Sequence, residues 1–419
     1  MYMGGLEERE MSETKADAVG LGPGAYPRPI VPRFSLQERD RRWAKVRALM
    51  ARDGLDAIIC LTNSSSWDHG NANGRYLSSI GGNGAQVSVV FPREGPVTAI
   101  TGAVPAPDFW LRFQDWVSDV RSEFFNATPG IIAQLRALGL ANGRIGIAGL
   151  KGVARAPDGV VPHGAYVQLA EQLPEATLVD ATFLMDEARF VKSEEEIGMI
   201  REAAVMVEAA MDVLQAEARS GVPECVVYGR AMGALLERGS EPNTLMLWAA
   251  GRPLPPAVAT IASRRPLGAD DVVMVEMDAS VAGYRGHGAL TTFVGKPDGV
   301  DREMAVLQFE AVQRCLAAMR PGVPMGDLVE VCNQVAAGTS YDCKPIVHGR
   351  GQGHDAPVLV FQARDPRTAT WKLEAGSVFI VKPVISLPDG SRKVMWGDTV
   401  VVTDHGAERL GSRPPPLVG

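Results

Sequence analysis

VEMDASVAGYRGHGALTTFVG, residues 275–295, is two apolar runs joined through a glycine-rich middle, and it reads as strand, turn and strand. Glu276 interrupts the first run. A carboxylate on an otherwise apolar strand is expected to face inward and to need a partner, because burying an unpaired charge is costly. His287 follows Gly-Tyr-Arg-Gly and reads as part of a glycine-flanked loop that solvent or substrate can approach. Its near-neutral titration suits it to general acid/base work.

The segments on either side of this hairpin set the class of its domain. Upstream, 187–221 reads as one long helix with Ser193 and Glu196 as a capping box, and 223–239 as a second helix. Downstream come a helix at 302–319, a further helix, and three β-rich pieces: PIVHGRGQG (345–353), SVFIVKPVI (377–385) and DTVVVTD (398–404). Helices followed by antiparallel strands indicate an α+β domain. Before residue 187 the cadence differs. SLQERDRRWAKVRALMARDG (35–54) is a helix with Ser35 as N-cap and Gly54 as stop, and DAIICLT (56–62) is a strand. Apolar runs at 86–91, 96–101, 144–149 and 176–181 then alternate with helical patterns at 128–140 and 163–173, as in an α/β layer. The expected organisation is a flexible arm over 1–33, an α/β domain over 34–185 and an α+β domain with a curved antiparallel sheet over 186–413.

The chain of 419 residues is 46% hydrophobic and 22% charged, enough to bury ample core, and its formal charge is −7. It has no basic run, so a nucleic-acid partner is not expected. The longest apolar stretches fall short of the roughly 20 residues that span a bilayer, which argues against a membrane partner. Five widely spaced cysteines form no CxxC pair, and the N-terminus has no secretory pattern, so a cytoplasmic location is expected.

Five motifs in order resemble the creatinase/aminopeptidase P/prolidase ("pita-bread") family. FVKSEEEIGMIREAA resembles the lead into its catalytic domain. VEMDASVAGYRGHGALTTFVG is similar to its pattern of an acid, a loop ending in Gly-Tyr, a second acid and Thr-Phe. HGRGQGHDAP resembles its histidine loop, and LEAGSVFIVKPVI and MWGDTVVVTDHGAERL resemble its last two strand motifs. DGLDAIICLTNSSSWDHGNANGRYLSSIGG is similar to the start of its N-terminal domain.

The resemblance implies a dinuclear site of two Asp, one His and two Glu, because paired hard dications need several anionic oxygens. In this chain the first Asp position holds Glu276, the second, eleven residues on, holds His287, and the His position holds His348. The two Glu positions hold Lys382 and Gly397. An ammonium about 4 Å from each of two dications is repelled by roughly 4 kcal/mol per unit charge even at an effective dielectric near 20. No metal and no other cofactor is therefore expected, although Glu276, His287 and His348 would make a chemically reasonable set for a lone Zn or Mn.

The candidate catalytic residues are His287, His348, Glu276 and Lys382. Arg350, His354, Asp355, Trp67 and His69 are candidates for binding substrate: Arg350 as a carboxylate clamp or an exposed salt bridge, and Asp355, like Asp278, as a histidine-orienting acid or a turn cap. Glu276 and Lys382 could equally form a structural ion pair. The expected function is metal-independent hydrolysis of a C–N bond in a small polar molecule by histidine and acid catalysis. A lyase, a non-catalytic peptide- or protein-binding domain and a metal-dependent Xaa-Pro peptidase are the alternatives. The resemblance also implies a homodimer.

Overall fold

Ser35 caps the first helix as expected, its hydroxyl accepting the Glu38 N–H, and Gly54 closes that helix at φ 66°. The structure is a computed structural model that describes residues 32–414 apart from 63–68, 83–85, 103–106, 124–125, 153–155, 157, 243–244, 256–260, 354 and 364–365. Most of the expected arm, Trp67 and His354 lie outside the described residues, as does the side chain of His69.

The first part of the chain runs α1 (Leu36–Asp53), β1 (Ala57–Cys60), α2 (His69–Ser78), β2 (Val87–Pro92), β3 (Thr98–Thr101), α3 (Pro107–Phe113), β4 (Asp119–Ser122), α4 (Thr128–Ala137), β5 (Arg144–Ala148), α5 (His163–Gln172), β6 (Thr177–Asp180) and α6 (Thr182–Phe190). Its strands form a mixed six-stranded sheet in the order β4-β3-β2-β1-β5-β6. Helices cover both faces, so β1 is buried at every residue and reads as a continuous apolar run. Ile131, Ile132 and Leu135 of α4 with Leu169 of α5 fill one face. Val46 and Met50 of α1, Leu77 of α2 and Leu184 of α6 fill the other.

The second part runs α7 (Glu194–Glu217), α8 (Glu224–Glu237), β7 (Met246–Gly251), β8 (Val272–Val281), β9 (Tyr284–Phe293), α9 (Gly299–Ala318), α10 (Asp327–Ala336), β10 (Asp342–Lys344), β11 (Ile346–Gly349), β12 (Val358–Val360), β13 (Gln362–Ala363), α11 (Pro366–Thr370), β14 (Val378–Val381), β15 (Val384–Ser386), β16 (Lys393–Met395), β17 (Gly397–Thr403) and β18 (Gly406–Arg409). Among the described residues, nine strands form a curled antiparallel sheet, β13-β12-β11-β14-β17-β9-β8-β7, with β18 added at β17. A three-stranded sheet, β10-β15-β16, lies beside it. Helix α7 packs on β8 and β9 through Ala203, Val207, Ala210 and Met211. Among the described residues no helix is long and apolar enough to cross a membrane.

Two local expectations are corrected. The single helix expected over 187–221 is two, α6 and α7, broken at Val191–Ser193. The break occurs because Val191 bridges to Ser377 and the Lys192 N–H donates to Gly376, pulling three residues into extended contact with the second sheet. Ser193 and Glu196 then start α7 with the expected capping box. The loop expected around His287 is the interior of β9 instead. Only Ala282 and Gly283, both at positive φ, make the turn, which suits a two-residue hairpin loop. Gly286 and Gly288 are packing residues. A Cβ at 286 would run into the α7 backbone at Ala203 and Ala204, and one at 288 into Met211 and Val207.

The two parts are tied by buried polar contacts. Glu196 at the start of α7 pairs with Arg41 (2.7 Å) and Arg42 (3.5 Å) of α1 and accepts the Tyr284 hydroxyl (2.5 Å). The Arg42 guanidinium lies 4.5–5.6 Å from the ring centres of Phe34, Tyr76, Trp116 and Tyr284. Arg75 of α2 pairs with Glu241 (2.5 Å), which also accepts from Ser280 and from the Gly283 N–H.

The packing role of the hairpin glycines predicts opposite outcomes for two Gly→Ala changes. Gly286→Ala is expected to cost at least about 1–3 kcal/mol, the usual penalty of overpacking. Gly198→Ala, on the exposed side of α7 with open space around it, is expected to gain about 0.5–1 kcal/mol. Urea unfolding curves measure both, and equal midpoints for the two variants would refute the assignment.

Candidate active site

Strand alternation puts Glu276 and Asp278 on one face of β8, and antiparallel register puts His287 of β9 directly opposite Asp278. Lys382 follows the last residue of β14, and its backbone N–H donates to Ile346 (3.0 Å). Gly397 opens β17 beside it, and a Cβ there would run into the Lys382 Cβ and the Val381 carbonyl. There is no room for a side chain at 397. The position where the family resemblance implies a second carboxylate is filled by backbone.

These elements bring five of the predicted residues together: Glu276, His287, His348, Arg350 and Lys382. The Lys382 ammonium donates to Glu276 Oε2 and lies 2.9 Å from His287 Nε2, while Glu276 Oε2 is 3.6 Å from the same nitrogen. His287 Nδ1 hydrogen-bonds Asp278 Oδ1, and Arg350 Nη2 donates to that same oxygen. Arg285 Nη1 stands 3.5 Å from Asp278 Oδ2. Thr399 fixes the backbone of His287 at both ends, accepting its N–H and donating to its carbonyl, each at 2.8 Å. His348 meets the His287 ring edge to face, with centres 5.7 Å apart.

Donor-only groups stand at both ring nitrogens, Lys382 at Nε2 (2.9 Å) and Arg350 Nη2 at Nδ1 (2.7 Å), but only Nδ1 also has an acceptor, Asp278 Oδ1. The imidazole proton is therefore assigned to Nδ1, shared with Asp278, and the lone pair on Nε2 faces Lys382. Burial lowers the His287 pKa, with Lys382 and Arg350 adding to the effect and Asp278 opposing it, so the ring is neutral near pH 7. Burial alone would raise Glu276, but Lys382 and His287 outweigh it and hold the carboxyl far below its usual range. Asp278 is likewise lowered, because Arg350 and His287 overcome the effect of burial. Burial and the neighbouring Arg350 push Arg285 down to about 9.

His287, His348, Arg350 and Lys382 are all at most 1% exposed, whereas the Glu276 side chain keeps 11% of its surface. Glu276 is therefore where this string of charges reaches solvent. The expected exposed salt bridge of Arg350 is corrected: the side chain is sealed, with Asp278 as its partner. Asp355 lies in a buried cluster with Lys192 (3.0 Å) and Arg189 (3.4 Å). Arg285 and Thr399 were missed by sequence reasoning. Both face the site from strands that carry a candidate, and alternation from His287 would have found Arg285.

The residues do not fit a divalent ion. The two donors that would face it, Glu276 and His287, already converge on the Lys382 ammonium. A cation placed between them would have to displace that charge or stand beside it. Among the described residues no three His, Cys, Asp or Glu side chains form a group that could hold a metal ion.

Comparison with known proteins bears on the fold. Residues 198–404 match metallopeptidase family M24. A creatinase from Bacillus sp. is 22% identical over 92% of this chain and 93% of its own length. The Xaa-Pro dipeptidase of Pyrococcus furiosus is 25% identical over 54% of this chain and 64% of its own. Among solved structures, an Xaa-Pro dipeptidase from Bacillus anthracis superposes with a TM-score of 0.72 at 20% identity, covering 91% of this chain and 99% of that one. The prolidase from Pyrococcus horikoshii gives 0.71 at 20% identity, with coverage of 90% and 99%.

The pairing of Lys382 with Glu276 sets two expected outcomes. Lys382→Met alone strands a buried carboxylate and should cost about 3–5 kcal/mol, while adding Glu276→Gln should recover much of that loss. A double variant as unstable as the sum of the singles would show that the two groups are not coupled. Because the folded pKa of Glu276 is depressed, its contribution is present above the unfolded value of 4.5 and is lost as pH falls toward the folded one. The stability gap between wild type and Glu276→Gln should therefore narrow from pH 6 to pH 3.

Proposed function

We propose that this chain, a member of the creatinase/aminopeptidase P/prolidase family with its M24 domain at residues 198–404, hydrolyses a C–N bond in a small polar molecule without a metal ion. The observation that carries the reading is the Lys382 ammonium lodged between Glu276 and His287. It supplies positive charge at the point where the donors meet, and it supplies it as a proton donor.

In this reading Glu276 and Lys382 touch the substrate, since the carboxylate is the member of the string that reaches solvent. Water attacks the carbon of the C–N bond and gives its proton to Glu276. Lys382 gives a proton to the departing nitrogen. The protonated Glu276 then returns a proton to Lys382 through their direct hydrogen bond, and the pair is reset. Neutral His287, oriented by Asp278, accepts from Lys382 and holds the ammonium in line, so it acts as a positioning residue. Arg350, with His287 itself, keeps Asp278 ionised for that task.

The direct hydrogen bond of Lys382 to the partly exposed Glu276, against 3.6 Å from Glu276 to His287 Nε2, supports this division of labour over direct contact of His287 or His348 with substrate. The family likeness supports a homodimer, and composition supports a cytoplasmic location.

Purified protein should contain less than one equivalent of Mn, Co, Fe or Zn, and EDTA should leave its activity unchanged. A screen of metal-free protein against small amides, guanidines and amino-acid derivatives supplies the assay. Stoichiometric metal with chelator-sensitive turnover would overturn the mechanism. Lys382→Ala should abolish turnover, and His287→Ala should lower kcat by roughly 10–100-fold, as for loss of an orienting partner, and shift the pH–rate profile. A His287 variant with an unshifted profile would reduce that residue to a structural part. Light scattering should give twice the chain mass at micromolar concentration, and a monomer would count against the dimer.

A further inference from the structure

A second cavity, of about 560 Å³, opens where α1 and α6 of the first part meet α11 and the segment after it in the second. None of its lining residues belongs to the candidate active site. Its size falls within the ~300–1,000 Å³ usual for small-molecule sites.

One wall is aromatic. Trp371 lies between Phe190, at 5.1 Å between ring centres, and Phe183, at 5.5 Å, and Phe183 is 38% exposed toward the opening. Arg367 stacks on the Phe183 ring at 4.8 Å and so extends the flat surface. The charges around this wall divide into two kinds. Arg52 and Glu187 pair with each other at 2.9 Å and cancel. Lys45 and Glu374 line the same cavity, yet neither side chain forms a hydrogen bond or ion pair with any described residue. They are near enough for the Glu374 charge to act on Lys45. Lys45 is half-buried beside Arg41 and Lys192, which crowd positive charge around it.

One cation and one anion that line the same cavity beside an aromatic surface without bonding to each other are complementary to a ligand that carries the opposite pair and a ring. We propose that this cavity is a binding site for an aromatic α-amino acid, with the carboxylate on Lys45, the ammonium on Glu374 and the ring against Trp371 and Phe183. A ligand with one charge would engage only one of the two groups and forgo the second charge-assisted contact. The inference is independent of the proposed hydrolysis, because it uses no residue of that site.

Isothermal titration of the full chain with L-phenylalanine, with Trp371 fluorescence as a second readout, tests the assignment. Saturable binding of one ligand per chain is expected. Lys45→Met and Glu374→Gln should each weaken it at least tenfold, and 3-phenylpropionate and phenethylamine, which lack one charge each, should bind at least tenfold more weakly. Glu374 is exposed and Lys45 only half-buried, so both variants should fold, and their thermal melts verify it. The proposal is overturned if L-phenylalanine does not saturate, if either singly charged analogue binds as tightly, or if binding survives both cavity variants and is lost in Lys382→Ala, which would place the ligand in the other site.

Discussion

A buried ammonium must be paired, and Lys382 meets Glu276 on β8 and His287 on β9 at the centre of the larger sheet. That requirement organises what surrounds it. Glu276 stays ionised because the ammonium is there, and His287 stays neutral partly for the same reason. The histidine must then turn its lone pair to Lys382 and its proton to Asp278, and Asp278 in turn is kept charged by Arg350. Each member has a fixed protonation state only because its neighbour does. In a low-dielectric interior such a chain is costly to leave half made, which gives it a single arrangement.

The substitutions at the family's metal positions hang together in the same way. Lys382 puts positive charge where the dications of an M24 site would require negative charge, and Gly397 lets the Lys382 backbone approach β17 so closely that no side chain fits. Restoring one carboxylate would not restore the site. A glutamate at 397 would collide with the Lys382 main chain, and one at 382 would leave Glu276 facing a like charge. The residues at these positions are therefore interdependent.

A second buried cation holds the two parts of the chain together. Arg42 is enclosed by four aromatic rings and paired with Glu38 and Glu196. Glu196 is also the capping residue of α7, the helix that presses on the β8–β9 hairpin. The start of that helix, the junction between parts and the backing of the β8–β9 hairpin thus share one carboxylate. The zero-clearance packing of Gly286 against Ala204 is possible because α7 is pinned at its first turn.

Much of this was legible in the amino-acid order. Apolar periodicity, caps and turn residues located most helices and strands, because those signals act over a few residues and need no distant partner. They located Ser35, Gly54 and the Ser193–Glu196 box, and Lys382 was legible as a positive charge at a position where the family resemblance implies a carboxylate. The sequence could not show that Gly286 and Gly288 make room for a helix, since glycine reads alike in a loop and under a close contact, and so His287 was expected on the surface. Nor could it pair Asp278 with His287, or seal Arg350. Lys382 and Glu276 are 106 residues apart and Lys382 and His287 are 95 apart. Which charges meet across such separations is set by strand order and register in the closed sheet, and only the tertiary structure decides those.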